Sequence, residues 1–227
     1  MAKPHFVATG GCMYTFDLLC FCVSVALYAA YNIYIHLRES SNPGYTIHGM
    51  SRTARIKWVA SILEKQNGIL AVQTLRNATM TSTFMASTSV LLAVGVLSLT
   101  GNGENVRHTW HSLNFFGSVE PGMFAFKILA LLLNFFLAFF CFTSSLRLYT
   151  HVAFMLGAQA GQQNSDQFGN MAETYLNMGA NHFYLGMRAF YFTVPLVFWI
   201  FGAQFMIFGT VFLISIIFIL DKTPQEK

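Results

Sequence analysis

The chain has 227 residues, of which 55% are hydrophobic and only 10% are charged. A soluble domain carries roughly 25% charged residues, so this composition excludes an ordinary soluble domain and indicates an integral membrane protein. The net charge of +4 is too small to indicate nucleic-acid binding. Anionic lipid headgroups are the expected counterpart. The length allows one bundle with its loops, and we expect a single domain over residues 1–227.

Four apolar stretches are long enough to cross a bilayer as helices, for which about 20 apolar residues suffice. They occupy residues 16–37, 78–99, 124–145 and 190–220. The last stretch is too long for a straight crossing, so Pro195 is expected to kink it or to begin its membrane part. The fold class predicted from these stretches is all-α, an integral membrane four-helix bundle in which successive spans run antiparallel.

The distribution of basic residues predicts the orientation. The first connection is the richest in them, with Arg38, Arg52, Arg55, Lys57, Lys65 and Arg76. By the positive-inside rule this connection should be cytoplasmic. An even number of spans would then place both termini outside.

Part of the first connection has the periodicity of an amphipathic helix, over residues 52–65. Val59 and Ile62 belong to its apolar face. We interpret it as an interfacial helix on anionic lipid, and a cytoplasmic helix packed on the bundle is the alternative. The residues expected to contact lipid headgroups are Arg52, Arg55, Lys57 and Trp58. A second short helix is predicted at residues 172–178, before an interruption at residues 179–181.

The second span is rich in serine and threonine, and its small residues allow close approach between helices. We expect it to be the helix most enclosed by protein, although hydroxyls lining a hydrated path are an alternative. Asn134 and Gln204 are expected near mid-membrane, where they could meet this hydroxyl face. Arg76 and Asn77 stand where the second span reaches the cytoplasm, and their role is interpreted as structural.

Asp17 and Lys127 are the charged residues inside the predicted spans, both near the outer ends. An isolated charge in a membrane is costly, whereas an opposed pair at the same depth costs less. We therefore predict that their side chains lie close together.

The histidines give only weak candidates for a metal site. His108 and His111, with Glu104, could form a cluster in the outer connection, but nearby glycines make a helix there doubtful. His36 and His151 end membrane helices, yet no predicted span has a histidine near its middle. We expect no cofactor, and we interpret the four cysteines as apolar packing residues.

A family resemblance rests on three runs of sequence. They are QTLRNATMTSTFMAST at residues 73–88, SRTARIKWV at residues 51–59 and GMRAFYFTVPLVFWIFG at residues 186–202. With these runs the chain resembles the bacterial and plant membrane proteins of domain-of-unknown-function family 599. The resemblance implies a four-span fold without an established activity. We accordingly expect a multi-pass protein of the bacterial inner membrane, either cytoplasmic or intracytoplasmic.

No catalytic motif is recognisable, so an enzyme is disfavoured. Gly202 and Gly209 share a helix face with Met206 and Leu213, and such a face can seat a neighbouring helix. The favoured function is a homo-oligomeric structural or accessory protein that binds lipid, with a larger membrane complex as a further candidate partner. One alternative is a small channel or transporter. A second is a redox subunit that carries haem or a metal.

Overall fold

The structure is a computed structural model that describes residues 7–42, 44–101, 121–158 and 165–222. These residues form the helices α1 (Val7–Ser41), α2 (Ile47–Glu64), α3 (Gly68–Gly101), α4 (Pro121–Ala158), α5 (Ser165–Phe201) and α6 (Ala203–Asp221). The described part of the chain contains no strand, so the all-α prediction is confirmed.

Five of the helices, all except α2, are long and apolar enough to cross a membrane. They indicate a multi-pass membrane protein, but the predicted count of four spans is not confirmed. The stretch predicted as the last span, residues 190–220, divides at Gly202, whose φ of 158° and ψ of 150° break the helix. Glycine has no Cβ and tolerates such dihedral angles. Pro195, where a kink was expected, lies inside α5 without ending it.

Helix α6 runs back along α5 after the turn at Gly202. A Cβ placed on Gly209 would lie 3.4 Å from the Cα of Pro195, so the two backbones approach closely there. At the far end of this hairpin, Arg188 of α5 pairs with Asp221 of α6. Met206 and Leu213 are buried as well, in clusters that include Cys20, Tyr31 and Ile35 of α1. The face that was expected to seat another copy of the chain is therefore covered by the chain's own α5 and α1.

Helix α1 runs parallel to α6. The indole Nε1 of Trp199 donates to Asp17 Oδ1 at 3.3 Å, and the Tyr31 hydroxyl donates to Asp221 Oδ2 at 3.0 Å. We call the end near Asp17 and Gly202 the turn end, and the end near Tyr31 and Asp221 the α2 end. The described starts and ends of the chain thus lie at opposite ends of the bundle. The inference that both termini lie outside assumed an even number of spans, and the structure does not support it.

Helices α4 and α5 pack closely because glycines on α5 receive aromatic rings from α4. A Cβ on Gly179 would lie 2.9 Å from the Tyr149 ring, and a Cβ on Gly186 would lie 2.8 Å from the Phe142 ring. The short helix predicted at residues 172–178 is wrong in its bounds, since α5 is continuous from Ser165 to Phe201. Residues 179–181, where an interruption was expected, are helical. Gly179 leaves room there for the Tyr149 ring.

Helices α3, α4 and α5 continue past the depth of a bilayer at the α2 end. The 38 residues of α4 correspond to about 57 Å at 1.5 Å per residue, well beyond the roughly 30 Å of hydrocarbon. These extensions and α2 share an apolar cluster, called here the α2-side cluster. It consists of Val59, Ile62, Ala71, Leu75, Tyr149, Val152, Leu156, Ala172 and Leu176. Helix α2 therefore packs on the bundle, as the alternative interpretation held.

Helix α3 is not the most enclosed span, and that prediction is wrong. In the most apolar part of α3, 22% of residues are buried, against 33% in α4, α5 and α6. Eight serine and threonine hydroxyls of α3 donate to carbonyls four residues earlier in the same helix, as Thr79 does to Leu75 at 2.8 Å. Ser82, whose hydroxyl lies 3.4 Å from that of Ser145, faces α4. Because such hydroxyls are satisfied locally, they tolerate a lipid-facing position.

Candidate functional site

Basic side chains collect at the α2 end of the bundle. Of the ten lysines and arginines in the described residues, Lys127 alone lies at the turn end. The other nine are Arg38, Arg52, Arg55, Lys57, Lys65, Arg76, Arg147, Arg188 and Lys222. All of these except Arg55 and Arg188 are exposed. The α2 end therefore presents a positively charged surface.

The four residues predicted to meet lipid headgroups have different surroundings. Arg52 and Lys57 are exposed and are free to contact headgroups. Arg55 Nε donates to Asn177 Oδ1 on α5 at 2.9 Å, and burial lowers the pKa of its guanidinium from the ordinary value. Trp58 is half-buried against the α2-side cluster. Two of these four residues are therefore exposed, and the headgroup contacts stay a prediction.

Arg188 is the most buried basic group at the α2 end, with 5% of its surface exposed. Its Nη2 donates to Asp221 Oδ2 and to the Tyr184 hydroxyl. The guanidinium carbon lies 5.3 Å from the centroid of the Tyr31 ring and 4.7 Å from that of Tyr184. These contacts fix the guanidinium between three helices. In the sequence Arg188 stands out only as one basic residue of the third connection.

His48 connects this arginine cluster to α1 and α2. Its Nδ1 lies 3.0 Å from Glu39 Oε1, and its ring stacks on the Tyr184 ring with centroids 4.4 Å apart. The start of α2 is held nearby because the Thr46 side chain accepts from the backbone N–H of Gly49. We define the junction as Glu39, His48, Tyr184, Arg188 and Asp221, which come from α1, α2, α5 and α6. No sequence motif joins these five positions.

Two unpartnered buried nitrogen atoms belong to the junction, and a third belongs to Arg55 on α2. Within the described part of the chain, four buried side-chain polar atoms lack a hydrogen-bond partner. Three of them are His48 Nε2, Arg188 Nη1 and Arg55 Nη2, and the fourth is Ser24 Oγ. A buried polar group without a partner costs about 1–3 kcal/mol. Such a concentration of nitrogens suits a ligand that accepts hydrogen bonds.

A second buried polar group lies at the turn end. Lys127 Nζ is 3.4 Å from Asp17 Oδ1, which confirms the predicted proximity of these side chains. Both are almost completely buried. Lys127 also lies over the Trp199 ring, 5.4 Å from its centroid. The indole therefore contacts both partners and completes a compact polar site.

The remaining predicted polar residues do not gather on α3. Asn134 Nδ2 donates to the Ala189 carbonyl at 2.8 Å and to Thr193 Oγ1 at 3.0 Å, both on α5. Gln204 is exposed beside the turn rather than at mid-membrane, because α6 begins one residue before it. Arg76 and Asn77 are exposed on α3. Asn134 thus links α4 to α5, and the predicted meeting with the hydroxyls of α3 is wrong.

The weak metal candidates His108 and His111, with Glu104, lie outside the described residues. Within the described ranges, no three His, Cys, Asp or Glu side chains come together in a way that could hold a metal ion. His36 and His151 are exposed near the α2 end.

The comparisons with known proteins give one match. The model of the family described as "Protein of unknown function, DUF599" matches residues 19–225. No curated protein matches the chain, and no solved structure matches it either.

Proposed function

Since the family match covers nearly the whole chain, the chain belongs to the DUF599 family, and we propose that it is an accessory membrane protein that binds anionic lipid. In this proposal the α2 end faces the cytoplasm, in the bacterial inner membrane. Its exposed basic residues hold the headgroups of the cytoplasmic leaflet. Lipid is then both the solvent of the bundle and its ligand.

The observation that supports this function is the one-sided charge of the bundle. Nine of the ten described basic residues lie at the α2 end, where the positive-inside rule places the cytoplasm. A basic residue near an anionic membrane surface contributes about 1 kcal/mol of attraction. Seven exposed cations around one rim therefore give a strong preference for anionic over zwitterionic lipid.

Arg52 and Lys57 are the residues through which this preference is best tested. Both are exposed on α2, so reversing their charge does not disturb the core. The Arg52→Glu/Lys57→Glu variant should weaken the stabilisation that phosphatidylglycerol gives to the purified protein by about tenfold in lipid concentration. The measurement is the thermal unfolding of the full chain in nanodiscs with a rising fraction of phosphatidylglycerol.

Gln204→Glu is the matched control, because it adds a negative charge at an exposed position of the turn end. It should leave the lipid dependence as in the wild-type protein. Equal stability in zwitterionic and anionic nanodiscs for the wild-type chain would contradict the proposed function.

The homo-oligomer belongs to the same proposal, but it now depends on another surface. With the Gly209 face filled by α5, the outer face of α3 is the surface we propose for a second copy. It carries the exposed residues Thr83 and Ser87, one turn apart on the same side of the helix, and small polar residues are common where membrane helices meet. Native mass measurement in mild detergent decides this point, and a monomer at every concentration would refute it.

A small transporter is the second candidate, favoured by the polar residues on one face of α1. Asp17, Ser24 and Tyr31 recur every seven residues and are all buried. Asp17 and Tyr31 belong to the two buried ion-pair clusters at opposite ends of the bundle. Polar residues at such depth often mark ion or proton pathways. Proton flux into proteoliposomes, abolished by Asp17→Asn, would support this candidate, and its absence in the wild-type protein would exclude proton transport.

A further inference from the structure

We propose that the junction is a binding site for a phosphate group, with Arg188 as the principal ligand and His48 as the second. The inference deepens the proposed lipid function, and it depends on that function only for the source of the phosphate. A phosphodiester of a lipid headgroup and a free phosphate share this recognition chemistry.

The guanidinium of Arg188 is fixed in position without a bound phosphate. Asp221 and Tyr184 accept from its Nη2, and the rings of Tyr31 and Tyr184 flank the guanidinium. The opposite nitrogen, Nη1, is buried and has no partner. A planar guanidinium fixed in this way loses little entropy when it binds, and arginine suits phosphate oxygens in particular.

His48 extends the site towards α2. Because an ionised carboxylate only accepts hydrogen bonds, Glu39 fixes the Nδ1 proton of His48. The unpartnered Nε2 can then accept from a P–OH group of the ligand. Arg55 is anchored through Nε to Asn177 on α5, eleven residues or about 16 Å before Arg188 along the helix. It therefore adds positive charge beyond the site rather than a third contact to the same phosphate.

The local charge favours an anion in spite of the two carboxylates. Glu39 and Asp221 offset Arg55 and Arg188. Three more cations surround these groups on α1, α2 and the end of α6, namely Arg38, Arg52 and Lys222. The net balance around the site is therefore positive, before any protonation of His48.

The surroundings favour a lipid as the source of the phosphate. On the rim of the site, 17% of the His48 side chain and 18% of those of Glu39 and Asp221 are exposed, which leaves a way in. Phe218, one turn before Asp221 on α6, and Leu185, one turn before Arg188 on α5, lie on the same helix sides as those residues and are 39% and 54% exposed. Acyl chains can lie along these apolar surfaces while the phosphate reaches Arg188.

Thermal stabilisation of the full chain in maltoside detergent tests the site, because a ligand of the folded state raises the unfolding temperature in a saturable way. The probes are sodium phosphate and dioctanoyl phosphatidylglycerol at constant ionic strength, and dioctanoylglycerol serves as the control without phosphate. We expect saturable stabilisation by phosphatidylglycerol and none by dioctanoylglycerol. Tighter binding of the lipid identifies a headgroup as the source, whereas equal binding of sodium phosphate identifies a free phosphate compound.

Three variants locate the binding. Arg188→Lys keeps the charge beside Asp221 but loses the fork, and it should weaken the apparent affinity by about tenfold or more. His48→Gln should weaken it by a smaller factor, and it decides the matter if Arg188→Lys does not fold. Gln204→Glu, at an exposed position of the turn end, should bind like the wild-type protein.

Two results would overturn the site. One is stabilisation that is absent, or that dioctanoylglycerol reproduces. The other is an affinity that is the same in the wild-type protein and in the folded junction variants. The Arg52→Glu/Lys57→Glu variant separates this inference from the broader proposal. If the preference for anionic lipid in nanodiscs is lost while saturable binding persists, the phosphate site stands without the broader proposal. If saturable binding is absent while that preference persists, only the attraction of the basic surface for anionic lipid remains.

Discussion

Asp17 Oδ1 lies 3.4 Å from Lys127 Nζ at the turn end of the bundle, and neither side chain is more than 3% exposed. The pair joins the first and fourth helices of the chain. Trp199 of α5 donates to the same carboxylate oxygen and lies beneath the ammonium group. Three candidate spans are thus connected through one polar contact.

Breaking this pair should destabilise the bundle strongly. Lys127→Met leaves a buried carboxylate without its counter-charge, and removal of one partner of a buried ion pair costs about 3–5 kcal/mol. The double variant Asp17→Asn/Lys127→Met should recover much of that loss, because it buries no net charge. Thermal or denaturant unfolding in detergent measures both effects, and equal stability of the single variant and the wild-type protein would show that the pair contributes nothing.

The close contact between α5 and α6 gives a second prediction. Gly209→Leu should separate the hairpin, since a Cβ there would already lie 3.0 Å from Phe198 Cδ2. Overpacking of this kind costs about 1–3 kcal/mol. Gly122→Leu on α4 is the matched control, because a Cβ at Gly122 would meet nothing within 4 Å. If both variants unfold at the wild-type temperature, α6 does not pack against α5 in this way.

A third prediction concerns the buried face of α3. Ala86 packs with Ala138, Phe142 and Ala189, so Ala86→Leu should destabilise the contact with α4 by about 1–3 kcal/mol. Thr81→Leu, at an exposed position on another side of α3, should be nearly neutral in detergent or lipid. The two variants are compared by thermal unfolding, and the reverse order of stability would mean that α3 faces α4 with its other side.

The all-helical class could be predicted from the sequence, because hydropathy alone indicates membrane helices. The Asp17–Lys127 pair could be predicted as well, because a lone charge in lipid is costly. The sequence was insufficient for the hairpin at Gly202. The stretch from Ala189 to Leu220 is apolar throughout, and apolar composition is the same whether the chain crosses once or turns back. The length of this stretch does predict that it cannot cross straight, but the bend lies at Gly202 and not at Pro195.

Neither the exposed position of α3 nor the junction could be predicted from the sequence, and the reasons differ. The hydroxyls of Thr79 and its neighbours are satisfied within their own helix, so their presence does not decide whether a protein or lipid surface covers them. Glu39, His48 and Arg188 are separated by long stretches of sequence and meet only through the packing of α1, α2 and α5. Periodicity within one helix cannot reveal such a meeting.

The sidedness of the chain tests the central claim most directly, since the single-sided basic surface depends on five crossings. Single cysteines replace exposed Glu64 on α2, exposed Gln204 beside the turn, and Lys222 after α6, in a chain without the four native cysteines. A membrane-impermeant maleimide is applied to intact cells and to inverted vesicles. The account predicts that Glu64→Cys and Lys222→Cys react from the cytoplasmic side and Gln204→Cys from the opposite side. Labelling of Lys222→Cys and Glu64→Cys from opposite sides, as four crossings require, would contradict it.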